Sequence, residues 1–178
     1  MSGGEVLEVL VTDCLEQIDI ERLCRKYAVD RAIASVVGAT PDFERLLPKP
    51  LFERFHLLSY RSKLPIKIDY ETPHTLGMDR VAAVVGAREL CGGGPLVVVD
   101  AGSCITFDFV TADGEYLGDN ISPGLHARLR AIDDYFPRLP RVEAEGDTPD
   151  LGYDTQTAIR SGVILGLKHE IEGYITYF

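Results

Sequence analysis

Two carboxylates in unlike settings carry the chemistry that this chain can offer. Asp79 follows Gly77-Met78 and precedes Arg80 where a helical pattern begins. Asp100 ends the apolar run Leu96-Val97-Val98-Val99 and leads into Ala101-Gly102-Ser103. A helix N-terminus favours a carboxylate, so Asp79 is suited to accept a proton, and Arg80 beside it can hold an anionic group through forked hydrogen bonds. At the other place, Gly102 lets the backbone approach an anion, and the Ser103 and Thr106 hydroxyls with nearby N–H groups can cradle phosphate oxygens. Asp100 would then hold a cation or a water beside that phosphate. The pair suits handling a phosphate on one side and activating a hydroxyl on the other.

Each piece alone has a plainer reading. Aspartate often starts turns, which would account for Asp100. A first-turn aspartate beside a solvated arginine is common at helix starts. The stretch Gly118-Asp119-Asn120-Ile121-Ser122-Pro123-Gly124 could be a strand exit with proline opening a helix, or a ligand-facing helix N-terminus. Asp154-Thr155 reads first as a helix cap. His56, His74, His126 and His169 are scattered and form no ligand-like cluster.

The elements that must position these residues follow from periodicity. Alternation predicts a strand from Glu5 to Thr12, and Asp19 to Tyr27 has helical spacing with Asp19 as its cap. Arg31 to Val37 is a short buried-strand run. Pro41 to Phe55 mixes helix and a proline-bearing loop, and Leu64 to Tyr70 is a further strand. A helix spans Thr75 to Leu90, and Cys91-Gly92-Gly93-Gly94-Pro95 stops it. Strand Leu96 to Asp100 comes next, then Ile105 to Val110 and Glu115 to Ile121 flank the hairpin signal Thr111-Ala112-Asp113-Gly114. Helices over Leu125 to Tyr135 and Asp154 to Thr176 enclose a loop over Phe136 to Pro149. The glycine run is the best candidate domain boundary, giving 1–91 and 95–178.

Composition bounds the rest. The chain has 178 residues, 46% apolar and 26% charged, as expected of a globular protein that can bury a real core. A net charge of −10 argues against a nucleic-acid partner. Cys14, Cys24, Cys91 and Cys104 lie far apart, so neither a structural zinc nor a disulfide framework is expected and a reducing cytosol is the simplest setting. With no signal-peptide layout and no apolar run long enough to span a membrane, a cytoplasmic protein without a membrane partner is expected.

The order of the motifs says more than any one of them. From Tyr70 onward the chain resembles the type III pantothenate kinases. It carries Tyr70, Thr72-Pro73, the GxDR element Gly77 to Arg80, and the strand end Asp100 to Ser103. Gly118 to Gly124, Leu139-Pro140 and the helix segment Gly152 to Gly162 follow. The resemblance covers about residues 64 to 175. It implies an α/β fold of the acetate and sugar kinase, Hsp70 and actin superfamily: two ribonuclease-H-like domains around ATP, in a homodimer, each incomplete in this chain. Asp79 would be the general base that takes the proton from the pantothenate hydroxyl. Tyr70, Gly77, Met78, Arg80 and Thr155 would line the pantothenate site, with Thr155 contributed across the dimer. Asp100 would coordinate a monovalent cation, K⁺ or NH₄⁺, Gly102 and Ser103 would contact ATP, and Mg²⁺ would accompany the nucleotide.

The chain also departs from that pattern. Nothing before Arg31 supplies the family's Asp-x-Gly-Asn-Thr phosphate motif, and Phe178 falls where further strands would follow, so truncation at both ends is expected. Ser103 stands for the usual Thr, and Asp119 stands for a usual Gly, adding a negative charge near the phosphate path. The missing motif keeps open a non-catalytic relative of the Bvg accessory factor kind, and strand-end Asp-Gly-Ser turns keep open another small-molecule kinase of the superfamily. The GxDR with its upstream Tyr70 favours pantothenate, phosphorylated by ATP as the opening step of coenzyme A synthesis.

Overall fold

A computed structural model describes residues 5–178. It resolves into two compact units, the first ending at Ser59 and the second running Tyr60–Phe178.

In the first unit, helix α1 (Gln17–Tyr27) is capped by Glu16 rather than Asp19. Asp19 sits one turn in, and its carboxylate accepts the Glu16 N–H at 3.3 Å. Strand β1 (Ala32–Ala34) pairs in parallel with β2 (Phe55–Leu57). Between them lie two single-turn helices, α2 (Phe43–Leu46) and α3 (Lys49–Phe52). Phe43 and Phe52 bracket Phe55, with ring centroids 4.6 and 6.3 Å away. The strand expected over 5–12 does not form beyond a single bridge at Glu5. Alternation needs a ladder partner to become a strand, and here Val9 and Val11 stay 74% and 90% exposed. The segment is instead tied to α1 by Glu8, which accepts from Arg22 at 2.9 Å, Lys26 at 2.8 Å and Tyr27 at 2.7 Å. Hydrogen bonds from Lys26, then Tyr27 and Arg22, hold the Glu8 carboxyl down at about 2.

The second unit is a four-stranded sheet with helices on both faces. Strands β3 (Lys67–Ile68), β4 (Leu96–Ala101), β5 (Cys104–Val110) and β6 (Glu115–Pro123) lie in the order β3-β6-β5-β4. β3 runs parallel to β6, and the other pairs are antiparallel. Helix α4 (Met78–Cys91) begins three residues later than its periodicity predicts, because Thr72–Thr75 closes as a turn, with Thr75 N–H donating to Thr72 O at 2.9 Å. It buries Val81 and Val84 completely, each worth on the order of 1.5–3 kcal/mol.

Side chains alternate across a strand, and that decides what each helix meets. Val99, Ile105, Phe107 and Phe109 face helix α6 (Thr155–Tyr177), where Leu167, Ile171 and Tyr174 complete the cluster, and helix α5 (Leu125–Tyr135) adds Leu125. The Phe107 and Tyr174 rings sit 4.2 Å apart. The alternate positions, Asp100, Thr106 and Asp108, belong to the face that α4 covers: Asp100 pairs opposite Thr106, and Asp108 is reached from α4 by Arg80. Arg88, about two turns further along α4, donates to Thr111 O at 3.0 Å and Ala112 O at 3.3 Å, fixing the hairpin turn.

The compact units divide at Ser59 and Tyr60. Gly92–Gly94, where the sequence reading places a domain boundary, is the reversal that returns α4 onto β4. All three glycines there have positive φ, between 70° and 97°.

Candidate active site

The β4–β5 turn holds the first group of predicted residues. Asp100, Gly102 and Ser103 are exposed at its tip. Gly102 N–H closes the turn on Cys104 O at 2.9 Å. Helix α5 starts directly against it: Gly124 N–H donates to Ser103 O at 3.0 Å, and a Cβ on Gly124 would lie 2.1 Å from Gly102 O. Only glycine permits that approach. The first turn of α5 therefore opens beside Gly102 and Ser103, over a cleft of about 420 Å³ lined also by His126, Arg130 and Asp134. Unpaired helix N–H groups, a hydroxyl and a guanidinium suit an anion. The Asp100 carboxylate makes no hydrogen bond or ion pair among the described residues.

The mouth of α4 holds the second group. Gly77 is the N-cap, and the Asp79 Oδ1 lies where a Gly77 Cβ would come within 2.5 Å of it. Asp79 is exposed, whereas Met78 is buried, so Met78 can offer a ligand its backbone and not its side chain. Successive helix residues point about 100° apart, so Arg80 turns away from Asp79 and under the sheet.

There Arg80 enters a cluster that the sequence reading did not foresee. Its Nη2 donates to Asp108 Oδ1 at 2.6 Å and to Tyr116 Oη at 3.2 Å, and lies 2.8 Å from Asp119 Oδ2. Its Nε reaches Asp108 Oδ2 at 3.4 Å. Tyr116 Oη donates to Asp108 Oδ1 at 2.6 Å. Tyr116 Oη also donates to Asp119 Oδ1 at 3.3 Å, and the Tyr70 ring meets that of Tyr116 edge-on at 6.2 Å. The Asp108 and Asp119 side chains are 1% and 4% exposed and stand directly opposite each other on β5 and β6. Like charges so placed repel, and Arg80 offsets that repulsion.

Electrostatics follow the geometry. Burial works against the Arg80 charge, but the hydrogen bonds and charges of Asp108, then Asp119, outweigh it and hold the guanidinium above its ordinary value. Burial first, then the Asp108 hydrogen bond, pushes the Tyr116 phenol well up. The neighbouring Asp119 carboxylate raises Tyr70. The negative charge expected from Asp119 near the phosphate path is thus paired to Arg80. A legible signal existed for Asp108: a lone acid at an inward position of an otherwise apolar strand requires a buried partner.

Arg80, Asp108, Thr106 and Asp100 lie along one sheet face: Thr106 Oγ1 donates to Asp108 Oδ2 at 3.4 Å, and Asp100 is the cross-strand partner of Thr106. Asp79 is not part of that line, and the clefts beside Tyr70, Ser103 and Thr155 are lined by neither Asp79 nor Asp100. Tyr70 and Asp119 also wall a cleft of about 640 Å³ with Asp69, Glu71 and Leu117. Thr155 lies elsewhere, exposed as the first residue of α6 in a shallow groove with Leu139, Tyr153 and Ile159. Asp154 caps that helix, accepting the Thr157 N–H at 2.8 Å. No group of three or more His, Cys, Asp or Glu side chains among the described residues is placed to hold a metal ion, and no helix there is long and apolar enough to cross a membrane.

A mixed α/β chain with an acid at a strand tip and another at a helix mouth is consistent with the actin and sugar-kinase class. The relatives narrow this. Residues 7–177 match the family described as type III pantothenate kinase. Proteins of that description share 43% identity in Phocaeicola vulgatus, over 98% of this chain and 72% of the relative. In Bacteroides fragilis the figures are 45% identity, 94% and 69%, and in Azobacteroides pseudotrichonymphae 49%, 97% and 71%. A solved structure from Campylobacter jejuni, described as a Baf family transcriptional activator, aligns with a TM-score of 0.48 at 27% identity, over 68% of this chain and 54% of that one. The chain belongs to the type III pantothenate kinase family.

Proposed function

We propose that this protein transfers the γ-phosphoryl group of ATP to the hydroxyl of pantothenate, giving 4'-phosphopantothenate, the first step of coenzyme A biosynthesis. Family membership over almost the whole chain supports the reaction. The observation that carries the residue assignment is the line along one sheet face from Arg80, through Asp108 and Thr106, to Asp100.

Asp79 is the general base. It is exposed, lies at a helix N-terminus and takes the hydroxyl proton as the substrate oxygen bonds to the γ-phosphorus and the bond to the ADP oxygen breaks. Arg80, with Tyr70, Gly77 and the Met78 backbone, holds the pantothenate. Thr155 completes that site from a second copy of the chain in a homodimer. Gly102, Ser103 and the first turn of α5 hold ATP phosphate oxygens. A monovalent cation (K⁺ or NH₄⁺) on Asp100, with Mg²⁺ on the nucleotide, would supply charge neutralisation there. The chain's own contribution is positioning and a fixed field. The two halves of the site correspond to ribonuclease-H-like domains over 1–91 and 95–178, and the enzyme works in the cytoplasm.

The test is ADP release with pantothenate, ATP, Mg²⁺ and K⁺. Asp79→Asn should lower kcat by a factor of about 10² or more, the usual contribution of a general base, with an unchanged thermal unfolding midpoint. A variant that turns over at the wild-type rate removes Asp79 from the role.

A further inference from the structure

Helix α5 begins at a glycine, so its N-cap, Gly124, offers no side chain to the N–H groups of the first turn. The corner that leads into the helix is held from the other direction, by Arg128 one turn along it. Arg128 Nε donates to Pro123 O at 2.7 Å, and its Nη2 donates to Ser122 Oγ at 3.0 Å and to the Glu170 carboxylate. The Nε hydrogen and both Nη2 hydrogens are thereby committed. One guanidinium ties the end of β6, the start of α5 and the body of α6, with the Arg128 and Glu170 side chains only 24% and 23% exposed. The residue after Pro123 is Gly124, whose N–H meets Ser103 O and whose missing Cβ lets the chain close on Gly102. Arg128 itself does not line the cleft at that turn, whereas His126 and Arg130 do.

We infer that Arg128, locked by Glu170, is a positioning residue for the nucleotide. It fixes the Ser122-Pro123-Gly124 corner, and with it the spacing between the Gly102-Ser103 turn and the first-turn N–H groups of α5. This rests on the reading of that turn as the holder of ATP phosphate oxygens. Two nitrogens of a planar guanidinium set direction as well as distance, which the single ammonium of a lysine does not. A through-space charge effect would look different: Arg128 would attract the triphosphate and Glu170 would repel it. As a clamp the two residues act alike, and loss of either loosens the same corner.

Calorimetric binding of MgATP and, separately, of pantothenate to the full chain tests this without turnover. Arg128→Met and Glu170→Met should each weaken MgATP by a factor of about five or more, with pantothenate affinity changed less than about twofold. Arg128→Lys keeps the charge without the fork and should lose most of the same affinity. Unfolding midpoints are measured alongside, and Glu170→Met decides the matter should Arg128→Met not fold. Glu170→Met that binds MgATP as tightly as wild type, or more tightly, overturns the clamp, because removing an acid helps an anionic ligand unless the acid positions its site. A loss shared equally by MgATP and pantothenate overturns it too, leaving Arg128 a purely structural role. Ser103→Ala separates the two readings. Wild-type MgATP affinity in that variant removes the nucleotide from the turn and the clamp with it, whereas weakened Ser103→Ala beside unchanged Glu170→Met overturns the clamp alone.

Discussion

Tyr116 shows how a single side chain reports on the whole buried cluster. It is fully buried, yet its phenol lies 2.6 Å from one carboxylate and 3.3 Å from another. Both neighbours accept hydrogen bonds and neither tolerates a second negative charge, so the fold holds the neutral phenol. A tyrosine with a folded-state pKa above its unfolded value of about 10 contributes stability that is fully present below pH 10 and lost as pH rises through the folded value. The reason is that the unfolded chain releases a proton which the fold retains. Chemical denaturation of wild type and Tyr116→Phe at pH 8, 10 and 11 isolates this contribution from the other titrating groups. The stability advantage of wild type should shrink steadily above pH 10. An advantage that grows with pH would mean that the phenol is not held neutral by Asp108.

At the scale of elements, the contact that matters most to the site is the seating of α5 on the β4–β5 turn. The nearest atoms to a Cβ on Gly124 would be backbone of Gly102 and Ser103, at 2.1 to 3.0 Å, and backbone cannot swing aside as a side chain can. Gly124→Ala should therefore push the helix start away from the turn, with an overpacking cost of about 1–3 kcal/mol. Because the displaced atoms are those assigned to ATP, the KM for ATP should rise more than the KM for pantothenate. Steady-state kinetics and a thermal melt measure both, and equal effects on the two substrates would separate this turn from the nucleotide. These elements were legible. The Thr111-Ala112-Asp113-Gly114 hairpin and the glycine stop after α4 are local signals, and each lies where its chemistry predicts, whereas Pro123 ends β6 and Gly124 caps α5, so the proline is not the first helical residue. What sequence could not supply was pairing. β2 has only three residues, too few for a period, and the 5–12 alternation failed for want of a ladder. The GxDR element revealed Arg80 as an anion-binding group but not that Asp108 and Asp119, 28 and 39 residues on, had already engaged it. That depends on the β5–β6 register, which no local pattern encodes.

The whole molecule raises the question of what folds together. The proposed catalytic halves meet near the glycine run, yet packing groups the chain differently: α4 lies on β4 and β5, and its Arg80 and Arg88 anchor in that sheet. The four-stranded sheet and the helices on both its faces all lie within Tyr60–Phe178. So do Tyr70, Asp79, Arg80, Asp100, Ser103 and Thr155. A segment of this size with a continuous core is large enough to fold alone. The fragment 60–178 should unfold in one cooperative denaturant transition and keep its near-ultraviolet circular dichroism. It should also bind pantothenate within tenfold of the full chain. A fragment beginning at residue 95 would lose Val81, Val84 and Arg80 together, leaving Asp108 and Asp119 buried without their cation, and it should not fold. Should the shorter fragment fold cooperatively and the longer one melt broadly, the glycine run, not Ser59, would mark the boundary of the folding unit.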